Sequence, residues 1–433
     1  MSTSEIVRLA ALKNVSRFKD HLRSLCVNIP CDNELAFDQH SPLRQVLIRE
    51  QLTIGNRIAV QPMEGWDGMP DGTPSEHTFR RWQRFGRSGG KLIWGGEAVA
   101  VSQEGRANPN QLLAAEHTCA GLARLRTVLV EEHRHVTGSD EGLLIGLQLT
   151  HSGRFSHPNS HKRGEPRILY HHPILDRRLE LPEDYPVLSD GDIRSIIEDF
   201  HHAAVLAWKS GFAFIDIKHC HGYLGHEFLS AHTREGKGIP EIPSNLIPYR
   251  WGFGLDPLNP VQEDFSEPLL FLSLLKKLNI RLVNLTAGSP YYNPHIQRPA
   301  LFPPTDGYQP PEDPLVGVAR QMEMTRVLKQ RFPTLIFVGS AYSYLQNFLP
   351  HVAQAAVREG WVDLVGLGRM VLTYPELLWD ATRGQPISPK RICRTFSDCT
   401  TAPRKGLPSG CYPLDDYYRE SDFGLQLKLL KKN

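Results

Sequence analysis

The 433-residue sequence contains no stretch approaching the run of about 20 apolar residues that a membrane-spanning helix needs, so no membrane partner is expected. It lacks an excess of charge of either sign: 49 Lys and Arg face 47 Asp and Glu, a net +2, which gives no electrostatic reason to expect nucleic acid. The short basic end Lys428–Lys432 reads as a solvated terminus. No continuous apolar core interrupts the opening MSTSEIVRLAALKNVSRFKDHL, so no secretory signal is read there, although its weak amphipathicity leaves a transit peptide open. Paired cysteines are also missing. The seven present (Cys26, Cys31, Cys119, Cys220, Cys393, Cys399 and Cys411) are an odd number in a long chain, which favours reduced thiols and a cytoplasmic setting. No repeat of solenoid period occurs, and no Gly-x-Gly-x-x-Gly follows the first apolar run, which removes support for a dinucleotide-binding open sheet.

What remains is an ordinary globular composition, 40% hydrophobic and 22% charged, patterned as alternating short strands and helices. Leu52–Met63, Lys91–Val101 and Leu143–His151 are apolar and turn-bounded, as buried strands should be. Between them, Thr78–Ser88 closes on Gly89-Gly90 as a helix, and His117–His135 carries apolar residues at helical spacing. Ser189-Asp190 caps a helix that runs to about Lys209, followed by the strand Phe212–Ile217. The second half repeats the alternation: helix Glu267–Leu278, strand Ile280–Thr286, helix Gly317–Arg331, strand Thr334–Gly339, helix His351–Glu359, strand Val362–Gly366 and helix Tyr374–Thr382. Ser156–Tyr185 and Ser289–Pro314 have no periodicity and read as long loops at the rim. Such alternation predicts a parallel sheet covered by helices. Gln148, His151, Lys218, His221, Gly368 and Arg369 all fall just after strands, and in a β/α barrel those positions line the C-terminal face where active sites sit.

Five segments carry a more specific likeness: NRIAVQPM (Asn56–Met63), EAVAVSQEGR (Glu97–Arg106), QLTHSGR (Gln148–Arg154), HGYLGHEFLS (His221–Ser230) and GLGRM (Gly366–Met370). In this order and spacing they resemble the signature segments of the Old Yellow Enzyme family, the NADH:flavin oxidoreductases. The resemblance implies a TIM (β/α)8 barrel holding FMN, with NAD(P)H as reductant. It also implies cofactor-binding residues. Pro62 and Met63 would pass beneath the flavin ring, with Glu64 and Ala98 beside it, and Gln148 would meet the pyrimidine edge, since its amide both donates and accepts. Gly339-Ser340 and Gly368-Arg369 would enclose the phosphate, as loops after the last two strands do in such barrels.

At the substrate end the sequence departs from the family pattern His-x-x-His-Gly-Tyr-Leu. It reads Lys218-His219-Cys220-His221-Gly222-Tyr223-Leu224, so a lysine stands in the place of the first histidine. The resemblance makes Lys218 and His221 the donors to the activating oxygen of a substrate and Tyr223 the proton donor. An ammonium can stabilise charge developing on that oxygen and would favour an anionic substrate. Alternatively, Lys218 pairs with a neighbouring acid such as Asp216. Glu64 replaces the Cys or Thr common in the family, and would either lower the flavin potential or point to solvent.

Cys399 and Cys411 keep the last Cys-x11-Cys spacing of the iron–sulfur relatives, but the two earlier places fall on Ile392 and Thr395, with Cys393 out of register. No metal cluster is expected. With the end read at Asn433, the further domains of that branch are not expected. Between Arg234 and Pro260 the family's fourth helix and fifth strand find no counterpart, so seven strands are counted, with Asn245–Tyr249 a candidate makeshift strand despite its prolines. The expected organisation is a lead-in over 1–50, the barrel over 51–388 and a tail over 389–433. The expected activity is NAD(P)H-driven, FMN-dependent reduction of an activated C=C in a small molecule. Two other readings stay open: a non-catalytic relic that has lost the flavin, and an FMN-barrel isomerase or lyase on an anionic metabolite. Homo-oligomerisation is also left open.

Overall fold

A computed structural model describes residues 6–231, 253–256, 259, 262–305 and 307–431. Its centre is a curled, all-parallel sheet. Phe214–Ile217 pairs with Leu144–Thr150, which pairs with Leu92–Ile93, and that strand pairs with Ile58–Val60. From there the sheet continues through Leu364–Leu367 and Ile336–Gly339 to Leu282–Asn284. The order is that of a β/α barrel with one unit left out. Among the described residues the sheet stays open between Phe214–Ile217 and Leu282–Asn284, where the sequence lacks helix 4 and strand 5. Asn245–Tyr249 lies outside the described residues.

Two expected strands are broken, each for a local reason. Leu52–Met63 divides: Leu52–Ile54 pairs antiparallel with Leu47–Arg49, and only Ile58–Val60 enters the main sheet. Asn56 makes the division, since its side-chain oxygen accepts from the Ile58 and Lys91 amides while its Nδ2 donates to the Gly89 carbonyl. Lys91–Val101 breaks at Gly95 and Gly96, with φ of 83° and 53°. A side chain on Gly95 would stand 2.6 Å from the Gln148 amide nitrogen, so the close approach needs glycine. The two pieces, Leu92–Ile93 and Ala98–Ala100, still pair with successive parts of the same strand, Leu144–Thr150.

Alternation along the strands fills both faces of the sheet. Ala59, Leu92, Trp94, Ile336, Val338 and Leu364 form one buried cluster, while Ile58, Val60 and Ile93 join the larger core shared with the outer helices. Those helices start where their caps dictate. Ser75 accepts from the Thr78 amide to open Glu76–Arg87, and Ser189 accepts from the Asp192 amide to open Asp190–Lys209. Gly138, with φ of 81°, ends Cys119–Thr137.

The flanking segments pack onto this barrel. Phe18 of Val15–Ser24 stacks on Phe348 at 4.3 Å between ring centres. The excursion after the third strand contains a short helix, Pro173–Arg178, and is tied down by the buried Arg154, which pairs with both Asp176 and Glu227. The basic end is not simply solvated: Asp422–Leu430 is helical and Lys431 pairs with Asp398 at 2.7 Å. No described helix is long and apolar enough to cross a membrane.

Candidate active site

The strand Phe214–Ile217 delivers Lys218 to the C-terminal rim, where its side chain is 3% exposed. Its ammonium pairs with Glu64 Oε2 at 3.2 Å, not with Asp216. Asp216 takes a different partner: half-buried, with its pKa raised by desolvation, it accepts from Gln148 Nε2 at 2.5 Å. The Glu64 carboxylate does not point to solvent. It is a hub, accepting from Lys218, from Trp66 Nε1 at 2.8 Å and from the Tyr223 hydroxyl at 3.4 Å. The loop that carries Glu64 is held by Glu97, which accepts from the Gly65 amide and is itself bound to the buried Arg81.

Tyr223 is 1% exposed, and burial, followed by the Glu64 charge, pushes its phenol well above the usual range. It stays protonated, as a proton donor must. Its hydroxyl also meets that of Tyr291 at 3.0 Å, and the Lys218 ammonium lies 4.0 Å from the centre of its ring. His221 sits beside this group in a left-handed backbone conformation, φ 66°, followed by Gly222 at 78°. Such strain in a non-glycine residue persists only where the surroundings fix it. Here the Gly222 amide donates to His226 Nδ1 at 2.8 Å and the Ser289 hydroxyl donates to the His221 carbonyl at 3.1 Å. Burial, then Lys218, drive the His221 pKa well below its normal value, so the ring is neutral. Its Nε2 faces the Gln297 amide at 3.1 Å, and Gln297 Oε1 is otherwise a buried orphan. With Nε2 accepting from the Gln297 amide, the single proton of the neutral ring belongs on Nδ1.

After the strand Leu364–Leu367, Arg369 is buried; Nη2 donates to the Pro299 carbonyl at 2.7 Å, while Nη1 has no hydrogen-bond partner among the described residues. Arg298 lies close to it. Burial, followed by the Arg369 charge, pulls the Arg298 pKa down to about 10. Neither guanidinium has a carboxylate partner among the described residues. Arg369 is buried and Arg298, which donates to the Thr400 hydroxyl, is half-buried; two such neighbouring cations fit a phosphate dianion, which would satisfy the orphaned N–H and relieve the mutual repulsion. Gly368 leaves the approach open, whereas Ser340 is already engaged, donating to the Leu285 carbonyl and accepting from Gln61 Nε2 at 2.6 Å.

Of the residues singled out from the sequence, the fold thus brings Lys218, Tyr223 and Glu64 into contact, with His221 alongside. Pro62 and Met63 follow the strand Ile58–Val60, and the Met63 amide donates to Gly96, next to the buried Ala98. Gly339 and Gly368-Arg369 come together after adjacent strands. Gln148 reaches the interior, but its side-chain nitrogen is spent on the half-buried carboxylate of Asp216. Sequence reading missed Tyr291, Arg298, Trp66 and Gln297. Three of these lie in the loop 289–314, whose Tyr291-Tyr292 pair was the one available signal. Among the described residues no group of three or more His, Cys, Asp or Glu is placed to hold a metal, and the Cys393 and Cys411 thiols are buried.

An incomplete parallel β/α barrel with a buried donor cluster and a pair of neighbouring arginines on its rim has the architecture of the flavin-barrel class of protein. Residues 46–236 match the NADH:flavin oxidoreductase / NADH oxidase family. An NADPH dehydrogenase of Clostridium acetobutylicum is 31% identical over 383 residues, 80% of this chain and 97% of that relative. The chain belongs to this family, whose cofactor is FMN and whose reductant is NAD(P)H. A metal reductase of Desulforamulus reducens is 24% identical over 86% of this chain and 53% of its own length, so the chain spans about half of that and several other curated relatives. Among solved structures, an Old Yellow Enzyme homologue from Zymomonas mobilis superposes with a TM-score of 0.53 at 19% identity, covering 80% of this chain and 94% of that one. A 2-naphthoyl-CoA reductase bound to 2-naphthoyl-CoA gives 0.63 at 16% identity, covering 88% and 58%. At such identities these two show the fold alone.

Proposed function

We propose that this chain is an FMN-dependent reductase that uses NAD(P)H to saturate an activated C=C bond in a small molecule. The observation that carries the reading is the buried Lys218–Glu64–Tyr223 cluster at the rim, with neutral His221 beside it. When bound, FMN supplies the hydride that it has accepted from NAD(P)H. Arg369 and Arg298 would hold its phosphate, and Met63 and Ala98 would border its ring. The chain's own part is electrostatic and protic. Hydride addition to the β-carbon builds negative charge on the activating oxygen, and the Lys218 ammonium and the His221 N–H are the preorganised donors that receive it. Tyr223, kept protonated by burial and by Glu64, delivers a proton to the α-carbon. Tyr291 Oη, 3.0 Å from Tyr223 Oη, re-supplies that proton from the outer cavity that it lines.

The test is a purified, desalted chain. The reading expects a retained flavin absorbance band and enone-dependent NADPH consumption, with Tyr223→Phe lowering turnover by about 10²–10⁴-fold. A protein that holds flavin yet consumes no NADPH with any activated alkene sinks it. The relic reading is favoured by two observations, the sheet's open edge and the Gln148–Asp216 bond inside the expected ring site. It predicts a colourless protein that stays so when FMN is added.

A further inference from the structure

A carboxylate has two equivalent oxygens and turns about a broad, two-fold torsion, so a single contact leaves it free to present either one. At Glu64 the two are told apart. Oε1 accepts from the indole Nε1 of Trp66 at 2.8 Å, which leaves Oε2 for the Lys218 ammonium at 3.2 Å and the Tyr223 hydroxyl at 3.4 Å. The residue two positions along the chain thus decides which oxygen the site receives.

Trp66 is itself tightly held. Its φ of 51° lies in the left-handed region, which a bulky side chain rarely adopts and which survives only when the neighbours over-determine it. They do so on both sides. The Gly65 amide donates to Glu97 Oε1 at 2.6 Å, and Arg81 forks onto Asp67, Nη1 to Oδ2 at 2.6 Å and Nη2 to Oδ1 at 2.8 Å. The same Nη2 reaches Glu97 Oε2 at 2.6 Å, so one buried guanidinium grips the chain before and after Trp66. A Cβ at Gly65 would stand 2.1 Å from that Nη2, which leaves glycine as the residue that fits. Asp67 has two further anchors: the Thr78 hydroxyl at 3.2 Å and, from the C-terminal tail, the Ser409 amide at 3.1 Å. The Trp66 ring then packs on the cluster of Ala107, Phe155 and Tyr223, which sets where its N–H points.

We infer that Trp66 is a positioning residue: clamped by Asp67, Arg81 and Glu97, its indole fixes the rotation of Glu64 so that one oxygen faces both Lys218 and Tyr223. Its hydrogen bond goes to the carboxylate, so its influence on the ammonium passes through Glu64. That placement requires neither flavin nor hydride; only its effect on turnover rests on the reductase reading.

Trp66→Phe in the full chain tests this, because it removes the N–H while keeping an aromatic ring and the same demand on φ. The first readout is the nitrogen–proton correlation signal of the Lys218 ammonium, identified by its loss in Lys218→Met; burial and pairing slow the exchange of those protons enough for it to be seen. The wild type is expected to show the signal near neutral pH and Trp66→Phe to lose it, with the urea midpoint unchanged. The second readout is kinetic. With FMN bound and cyclohex-2-enone as acceptor, Trp66→Phe should lower kcat about tenfold and move KM less than about twofold, the mark of an interaction made in the transition state. Glu64→Gln should lose the signal as well, and adding Trp66→Phe to it should lower kcat no further, since two residues that act through one contact are not additive. A wild-type chain without the signal, a Trp66→Phe chain that keeps it, or a double variant slower than Glu64→Gln by about another tenfold would each overturn the inference. A chain that consumes no NADPH with any acceptor, yet loses the Lys218 signal in Trp66→Phe, removes the reductase reading and leaves the positioning role standing.

Discussion

The two sides of the sheet are built from the same kinds of residue and end up in different states. On the closed side, Ile58–Val60, Ile336–Gly339 and Leu364–Leu367 bury every residue. At the open edge, Phe214–Ile217 buries none completely, and Ile217 is 46% exposed. The helices repeat the contrast: Trp82 and Phe85 are fully buried, whereas Trp208 and Leu270, beside the gap, are 76% and 73% exposed. A parallel strand is apolar on both faces because it needs a neighbour on each side and helices above it. Leaving out one βα unit therefore does not shrink the barrel; it strips the cover from two units that were composed for burial.

Four measurements sharpen or break this comparison. The largest effect is expected from Arg81→Met, on the closed side, which strands Asp67 and Glu97 as buried carboxylates. Removing one partner of such a group costs about 3–5 kcal/mol, read as a lower midpoint in urea unfolding. Next comes a matched pair: Leu149→Ala, fully buried, should cost about 2–5 kcal/mol, and Ile217→Ala at the edge less than about 1 kcal/mol. Equal losses would mean that the edge strand is covered in solution, and the contrast would fall.

The third measurement concerns pH. Burial, then the Lys91 charge, lowers the His133 pKa from 6.5 to about 4. The unfolded chain takes up a proton on this ring as pH falls through 6.5, while the folded one refuses it until about 4, so stability drains away across that window. His133→Gln should flatten the acid limb, shrinking the stability difference between pH 7 and pH 4.5 by roughly 2 kcal/mol, as followed by urea titrations at both values. The smallest effect belongs to Leu270→Gln, on the exposed helix face, which should change stability by no more than about 0.5 kcal/mol and reduce self-association in light scattering. A loss several times larger would show that this face packs against something.

Most of the architecture was legible because strand and helix periods are local. Ser189 announced its helix, and the missing unit showed itself as a run rich in Pro and Gly between Arg234 and Pro260. Two strands were read too long, because their interruptions depend on distant partners: Asn56 bridges to Gly89 and Lys91, and Gly95 makes room for Gln148. At the site, Lys218, His221 and Tyr223 were legible from one short segment. Their partners were not. Glu64 lies 154 positions from Lys218, and Tyr291 lies 68 from Tyr223; no pattern along the chain records such encounters. For the same reason the alternative pairing of Lys218 with Asp216 gave way to Glu64: Asp216 stands opposite Gln148 on the neighbouring strand and accepts from its side-chain amide.

The Lys218–Glu64 pair has one further consequence. A carboxylate that the fold holds 3.2 Å from the ammonium is an internal ligand, present at an effective concentration no dilute solute approaches. The ammonium has three N–H donors and Glu64 takes one, so an acceptor oxygen would join the carboxylate on Lys218 without replacing it. On the proposed reading, what such an acceptor gains is a fixed hydrogen-bond donor whose charge is already balanced, so recognition at this point is by direction more than by net charge.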